Sequence, residues 1–230
     1  MTTADLTTDR VPRGEVPARA WYARNVTDVA CDLLGCYVTT VRADGEVTVR
    51  LSEVEAYGGA DDPGSHAYRG RTARNASMFG EPGRLYVYRH MGLHHCANVV
   101  AHRDGEASAV LLRAGEVVSG VELARARREA TGTVGAVAQL ASGPARLSVC
   151  LGLDLSDDGA DVTGPDGYVV LDQRASAVPG APPASGPRVG VSGPGGDAEA
   201  YPWRWWLTGD PTVSAYRRAY RKPASAARSG

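Results

Sequence analysis

Residues 36–57 read CYVTTVRADGEVTVRLSEVEAY and carry the clearest fold signal in the chain. Two runs rich in Val, Thr and Tyr, at 36–42 and 46–57, flank the short segment Ala43-Asp44-Gly45. β-Branched and aromatic runs separated by a Gly-containing turn are typical of a β-hairpin. The stretch therefore predicts two strands joined by a tight turn.

Outward from this hairpin, predicted strands and helices are mixed. Upstream, apolar residues at helical spacing predict a helix over 18–34 that ends at Gly35. Downstream, the patterns predict strands at 85–88, 107–113, 168–171 and 188–191, and helices at 117–130, from Pro144 onward and at 211–222. Without a βαβ alternation, the fold class is predicted to be α+β. We expect a single domain over 15–222, a curved, mostly antiparallel sheet with surrounding helices, between disordered tails at 1–14 and 223–230.

The composition is that of an ordinary folded domain. The chain has 230 residues, of which 43% are hydrophobic and 22% charged, and its net charge is -1. This is enough for one well-buried core and excludes disorder of the whole chain. No run approaches the length of a membrane span, and residues 1–13 lack the apolar core of a signal peptide. We therefore expect no membrane association, reduced thiols and a cytoplasmic location.

No motif in the sequence indicates a metal or a cofactor. Residues 154–159 look like a calcium loop, but the acidic spacing is wrong and Pro165 stands at the twelfth position. His94, His95 and Cys96 are adjacent, and adjacent side chains point apart in a strand or helix. The sequence therefore predicts an activity that needs neither.

Glu55 is the first candidate for chemistry. As a strand, residues 46–57 place Glu53 and Glu55 on the face of Val47, Val49 and Leu51, which these apolar residues turn toward the core. Burial raises the proton affinity of a carboxylate, and that property suits a general base. A solvent-exposed glutamate at a strand end is the alternative, and periodicity alone favours it.

Arg113 follows the same reasoning. It shares a face with Ala109 and Leu111 in a strongly apolar run, where a guanidinium requires an anion. Glu55 is a candidate partner for it.

Flat polar rings are concentrated in this part of the chain, at Tyr57, His66, Tyr86 and Tyr88. Ring faces of this kind can enclose a planar ligand, and their electron-rich faces favour a cationic one. Ordinary strand tyrosines are the alternative interpretation.

A local basic patch lies within residues 66–95. Only Glu81 opposes its five arginines, which are Arg69, Arg71, Arg74, Arg84 and Arg89. Such a patch suits contacts to phosphates. A solvated loop is equally compatible with the composition.

These residues fall within a longer pattern that resembles the alkyladenine (3-methyladenine) DNA glycosylase family. The matching stretches are Val54-Glu-Ala-Tyr57, Asp62-Pro-Gly-Ser-His66, Arg74-Asn75, Met78-Phe79, Pro82-Gly-Arg-Leu-Tyr-Val-Tyr88, Cys96-Ala-Asn98, Leu111-Leu-Arg-Ala114, Ser142-Gly-Pro-Ala-Arg-Leu147, Arg188-Val-Gly-Val191, 203–209 and Val213-Ser214. The resemblance covers roughly residues 16–218, and many spaced matches in order are more specific than any single motif.

The resemblance implies excision of a damaged purine that is flipped out of duplex DNA. By position, Glu55 corresponds to the base that activates a water, and Arg113 to the arginine beside it. Asn98 corresponds to the asparagine that crowds the exocyclic amino group of guanine. The residues that stack on and hydrogen-bond the flipped base correspond to Tyr57, His66 and Tyr88.

The sequence departs from the family at the residue that wedges into the DNA. Family members commonly place a tyrosine there, and this chain has Met91. An apolar wedge is still feasible, although methionine stacks less well than an aromatic ring. The resemblance also implies that a main-chain carbonyl near Val169 holds the water.

We therefore expect a DNA glycosylase that acts as a monomer on damaged purines in double-stranded chromosomal DNA. Lys222 is the only lysine, so a Schiff-base intermediate is not expected and the enzyme should be monofunctional. A nucleoside N-ribohydrolase and a non-catalytic protein that binds damaged DNA are the alternatives.

Overall fold

The computed structural model describes residues 13–103, 105–173 and 182–219. The predicted tails therefore lie outside the described residues, apart from positions 13 and 14. The α-helices are α1 (Arg19–Tyr22), α2 (Val26–Leu33), α3 (Val121–Glu129) and α4 (Pro144–Leu151). The strands are β1 (Tyr37–Arg42), β2 (Gly45–Tyr57), β3 (Leu85–His90), β4 (His94–Val100), β5 (Ala109–Ser119), β6 (Ala141–Ser142), β7 (Val169–Asp172), β8 (Ala184–Gly186) and β9 (Arg204–Trp206). Short 3-10 helices cover Gly59–Asp61, Ala73–Phe79, Val137–Gln139, Leu155–Asp157 and Pro194–Gly196.

The strands form one antiparallel sheet in which β2 is central. Its order is β3-β4-β5-β2-β1-β7, with β6 beside β5 and β8 beside β9. β5 pairs along one side of β2, whereas β1 and β9 pair with successive halves of the other side. The predicted hairpin at 36–57 is therefore confirmed, and so is the α+β class. This arrangement places Glu53 and Glu55 between two neighbouring strands.

The sheet separates two apolar clusters. The larger cluster packs α2 and α4 against one face of the sheet and includes Leu33, Val54, Leu112 and Leu151. The smaller cluster includes Met78, Tyr86 and Ala109. Since side chains alternate along a strand, Val110 and Leu112 point into the larger core while Leu111 and Arg113 point to the other face. Among the described residues, no helix is long and apolar enough to cross a membrane.

Two β-bulges at the centre of the sheet change the predicted faces. In the β2–β5 register, Leu51 pairs with Gly115, Glu53 with Ala114 and Val54 with Leu112. Ser52 and Arg113 are therefore the extra residues, and a bulge re-aims the side chains around it. As a result Val54 and Ala56 join the core of Val47, Val49 and Leu51, and Glu55 does not. The expectation that Glu55 shares their face was wrong.

Helix boundaries differ from the prediction where a polar residue or a glycine interrupts the pattern. The helix over 18–34 is two helices, because the Asn25 side chain accepts a hydrogen bond of 2.9 Å from the Thr27 N–H and so begins α2 anew. Residues 117–119 continue β5, and α3 starts only after Gly120, whose φ is 71°. Helix α4 begins at Pro144 as expected.

The C-terminal part of the chain was predicted least well. Residues 188–191 form a loop with a turn at 189–190 instead of a strand, and 211–219 contain a turn instead of a helix, while 220–222 lie outside the described residues. Strands β4, β6, β8 and β9 were not anticipated. β8 and β9 have three residues each, too short for a period to be recognised.

Candidate active site

A cleft of about 740 Å³ lies on the face of the sheet opposite the larger core. Strands β3, β4 and β5 supply its floor through Tyr88, Asn98 and Arg113, and the loop after β8 supplies one wall through Val189. A second cleft, of about 720 Å³, lies between Phe79 and Trp203 and contains none of the residues predicted to act.

Glu55 is completely buried behind Tyr57, Arg113 and Val189, which line the first cleft, so the alternative of a solvent-exposed glutamate is wrong. Its Oε1 accepts a hydrogen bond of 2.6 Å from the Val189 N–H. Its Oε2 accepts one of 2.8 Å from the Tyr57 hydroxyl and lies 3.2 Å from Nη1 of Arg113. These donors together stabilise the ionised carboxylate.

Arg113 lies between two carboxylates. Its Nε donates to Oε1 of Glu53 at 2.8 Å while Nη1 faces Glu55, and Nη2 donates to the Ser214 hydroxyl at 3.3 Å. Burial alone would raise the pKa of Glu53, but the guanidinium groups of Arg113 and Arg204 hold that pKa below its usual range. The pKa of Arg113 is raised, because its burial is outweighed by the two glutamates. Both ends of this ion pair are therefore charged.

Aromatic rings form the sides of the cleft. The rings of Tyr86 and Tyr88 stack with centroids 5.6 Å apart, and the His66 ring stands edge-on to Tyr88 at 4.5 Å. Nδ1 of His66 lies 2.9 Å from the Tyr86 hydroxyl. Desolvation, together with the positive charges of Arg74 and His90, lowers the pKa of His66. Neutral imidazole is therefore the favoured form at neutral pH.

Burial keeps the tyrosine hydroxyls of the cleft protonated. It is the main cause that raises the pKa of Tyr86 to about 12 and that raises the pKa values of Tyr57 and Tyr88. Each ring thus remains a neutral surface with a hydroxyl that can donate.

Asn98 is fixed in the floor of the cleft. It is buried, and its Nδ2 donates to the Tyr86 carbonyl at 2.9 Å across the β3–β4 pair. Because this hydrogen bond holds the amide in one orientation, the Asn98 side chain occupies a fixed position in the floor of the cleft.

Met91 lies at the tip of the β3–β4 hairpin, on the rim of the cleft. Met91 and Gly92 have φ values of 50° and 71°, and the Leu93 N–H donates to the His90 carbonyl, which is the geometry of a type I′ turn. The turn leaves Met91 81% exposed and Leu93 77% exposed. Two large apolar side chains therefore protrude beside the opening of the cleft.

The predicted phosphate-binding arginines are not equivalent. Four are exposed, namely Arg69, Arg71, Arg74 and Arg89, and the Arg74 guanidinium lies 5.8 Å from the centroid of the Tyr88 ring in the cleft. Arg84 is half-buried, paired with Glu81 at 2.6 Å and hydrogen-bonded to the Gly159 carbonyl at 3.0 Å. Arg84 is thus engaged within the protein.

A buried ion pair holds the loop that carries Val189. Arg188 donates to both oxygens of Asp62, at 2.5 and 2.7 Å, and to the Gly195 carbonyl at 2.6 Å. Its guanidinium also lies 4.6 Å from the centroid of the Tyr57 ring. The Arg188–Asp62 pair was not predicted from the sequence. An arginine flanked by apolar residues was the one feature that could have indicated a buried guanidinium there.

The main-chain group beside Glu55 is not the one expected. Val169 lies in β7, paired with Thr40 and packed into the larger core. Val189 lines the cleft in its place. Arg204 and Ser214, which surround Glu53, were also missed as site residues.

Comparison with known proteins identifies the class. A family model described as methylpurine-DNA glycosylase matches residues 20–211. A protein of Streptomyces avermitilis, provisionally named a 3-methyladenine DNA glycosylase, is 50% identical over 209 residues, which cover 91% of this chain and 93% of that one. A protein of Leifsonia xyli with the same provisional name is 51% identical over 206 residues, covering 88% and 93% of the two chains.

The fold, the cleft and these likenesses define a DNA glycosylase, a hydrolase of N-glycosyl bonds. The chain belongs to the methylpurine-DNA glycosylase family.

Proposed function

We propose that this chain flips alkylated or deaminated purines out of duplex DNA into the cleft and hydrolyses the N-glycosidic bond with a water activated by Glu55. Flipping costs a few kcal/mol, least for a damaged or mispaired base. The water attacks C1′ of the deoxyribose, Glu55 takes its proton, and the bond electrons leave with the purine. The products are a free base and an intact abasic site.

The observation that carries the proposal is the environment of Glu55. A carboxylate offers about four lone-pair positions. The Val189 N–H and the Tyr57 hydroxyl occupy two of them, and Nη1 of Arg113 lies 3.2 Å from Oε2. The remaining lone-pair capacity is available to a water, which is the arrangement that a general base requires.

The walls of the cleft suit a cationic purine. N3- or N7-alkylated purines carry a positive charge, which the faces of Tyr57 and Tyr88 attract. Stacking on such rings is worth about 1–3 kcal/mol per base. Neutral His66, with Nδ1 held by Tyr86, has Nε2–H to donate to the base. Asn98 excludes undamaged guanine, because its fixed amide crowds the exocyclic amino group.

The surroundings of the cleft favour duplex DNA over a free nucleoside. A small substrate needs neither the exposed apolar tip formed by Met91 and Leu93 nor the exposed arginines. Apolar side chains that insert between base steps and arginines that contact phosphates are typical of proteins that distort duplexes. We propose that the chain acts on chromosomal DNA as a monomer, without metal or cofactor.

An excision assay tests the proposal. End-labelled duplexes with hypoxanthine, ethenoadenine or 7-methylguanine are incubated with the protein and divided between alkali and no alkali. Cleavage that depends on alkali is expected, since an abasic site breaks only after alkali. Cleavage without alkali, trapped by borohydride, would overturn the monofunctional mechanism. Tight lesion binding without cleavage would favour a damage-binding protein.

Met91→Tyr is expected to accelerate excision of a neutral lesion such as hypoxanthine by about tenfold, because an aromatic wedge stabilises the gap left by the flipped base by about 1–3 kcal/mol. Single-turnover kinetics on a hypoxanthine duplex measure the change. Leu155→Tyr, at an exposed leucine that does not line the cleft, is the matched control and should leave the rate unchanged. A Met91→Tyr rate equal to wild type would contradict a wedge role.

Arg89→Ala is expected to weaken duplex binding and to reduce the slope of log K against log salt by about 0.9, the value for one phosphate contact. Arg89 is exposed on β3, beside the hairpin tip. Fluorescence anisotropy at several salt concentrations measures the slope. Arg125→Ala is the control, since α3 follows the end of β5 remote from Arg113. Equal slopes for both variants would show that Arg89 does not contact a phosphate.

A further inference from the structure

Glu53 is a second buried carboxylate, close to Glu55, that the proposed reaction leaves without a role. It is completely buried and is not among the described residues that line the cleft. Four donors nevertheless converge on it. Its Oε1 accepts from Arg113 Nε at 2.8 Å, Arg204 Nε at 2.6 Å and the Ser214 hydroxyl at 3.0 Å, and its Oε2 accepts from the Ser214 N–H at 2.7 Å.

Two of the residues that surround Glu53, Arg204 and Ser214, come from the C-terminal part of the chain. Arg204 belongs to β9, which pairs with β2 at Glu53, and its Nη2 donates to the Ser214 carbonyl at 2.9 Å. We call Glu53, Arg113, Arg204 and Ser214 the Glu53 cluster. With Glu55, it contains two carboxylates and two guanidinium groups, so its formal charge is zero.

Stability alone does not explain this cluster. Buried ion pairs are weak contributors to stability, and well-packed apolar residues often replace them without loss. The cluster does hold Arg113 at Nε, through Glu53, and at Nη2, through Ser214, while Nη1 faces Glu55. Since Arg113 is the extra residue of a β-bulge, its side chain needs such anchors to keep one orientation.

We infer that Glu53 is a positioning residue for the hydrolysis, which together with Arg204 and Ser214 fixes Arg113 against Glu55 and balances the charge beside it. The inference rests on the proposed role of Glu55. Glu53 contacts neither the base nor the water. It acts by setting the place of the guanidinium and the charge that Glu55 experiences.

Because Glu53 and Arg204 contribute to the charge near Glu55, their removal should change the pH dependence of excision. Among the described residues, the titratable and charged groups near Glu55 are Tyr57, Tyr88, Cys96, Arg113 and Arg188, together with Glu53 on its own strand and Arg204, its register partner on β9. Loss of the Glu53 charge adds a net positive charge nearby, which disfavours protonation of Glu55. Loss of the Arg204 charge has the opposite sign and favours protonation.

Single-turnover excision of 7-methylguanine across the pH range tests this signature. The lesion is cationic and leaves without added protonation, so the acid limb of the profile reports the base. For Glu53→Gln we expect a rate about 100-fold lower, as for a displaced catalytic group, and an acid limb moved down by about one pH unit. For Arg204→Met the acid limb should move to higher pH by a similar amount. In the double variant, Glu53→Gln with Arg204→Met, the acid limb should return to its wild-type pH.

Asp157→Asn is the matched control. Asp157 is a buried acid paired with Arg42 at 2.6 Å and does not line the cleft, so its loss should lower stability without moving the acid limb. Lower rates with unmoved limbs in both Glu53→Gln and Arg204→Met would overturn the inference in favour of a structural role. If Glu53→Gln does not fold, the Arg204→Met variant alone tests the inference: an acid limb moved to higher pH supports it, and an unmoved limb overturns it. A wild-type protein that excises nothing refutes the proposed function, whereas excision by wild type and Glu53→Gln at equal rates refutes only the inference.

Discussion

Glu55→Gln is expected to slow base excision by about 1,000-fold, within the range that general acid–base catalysis contributes. Glutamine retains the shape of the side chain and one oxygen, which can accept from the Val189 N–H or from the Tyr57 hydroxyl but not from both, and it cannot take a proton from the water. Binding to a lesion-containing duplex should remain, because the rings and the arginines are unchanged. Single-turnover rates and anisotropy measure the two quantities separately.

The control for this variant lies in the same sheet. Glu116 on β5 is exposed and pairs with Arg50 at 3.0 Å, so Glu116→Gln should excise at the wild-type rate. A Glu55→Gln variant that folds and excises within threefold of wild type would remove Glu55 from the proposed mechanism.

Arg188→Met is expected to lower the free energy of unfolding by about 3–5 kcal/mol, the usual cost of removing one partner of a buried ion pair. Asp62 is completely buried and, among the described residues, would retain only the N–H groups of Gly58 and Gly64 as hydrogen-bond donors. The carbonyls of Ala56 and Gly195 would also lose their donor. Urea denaturation at neutral pH measures the change.

Two further variants separate burial from charge. Asp62→Asn combined with Arg188→Met should recover part of the loss, because no uncompensated charge then remains in the core. Arg84→Met removes the half-buried partner of the exposed Glu81 and should cost less than about 1 kcal/mol. A similar loss for Arg84→Met and Arg188→Met would show that burial of the Arg188–Asp62 pair does not determine its contribution.

Elements with a strong local pattern were predicted correctly. The hairpin of β1 and β2, strand β3 and helix α4 each have a clear apolar period or a definite start signal. The short strands β8 and β9 lack such a signal, because their hydrogen bonds are made with segments distant in the chain. The carboxylate, the arginine and the rings of the site could be selected from the sequence, since these residue types carry the chemistry.

The sequence by itself determined the α+β class, the family to which the chain belongs and the candidate site residues. Only the tertiary structure decided which face Glu55 occupies, because the bulges at Ser52 and Arg113 depend on the pairing of β2 with β5. Only the tertiary structure joined Glu53 to Arg204 and Ser214, which lie more than 150 residues further along the chain. The physical reason is that a buried charge requires a partner, and folding determines which distant segment supplies it.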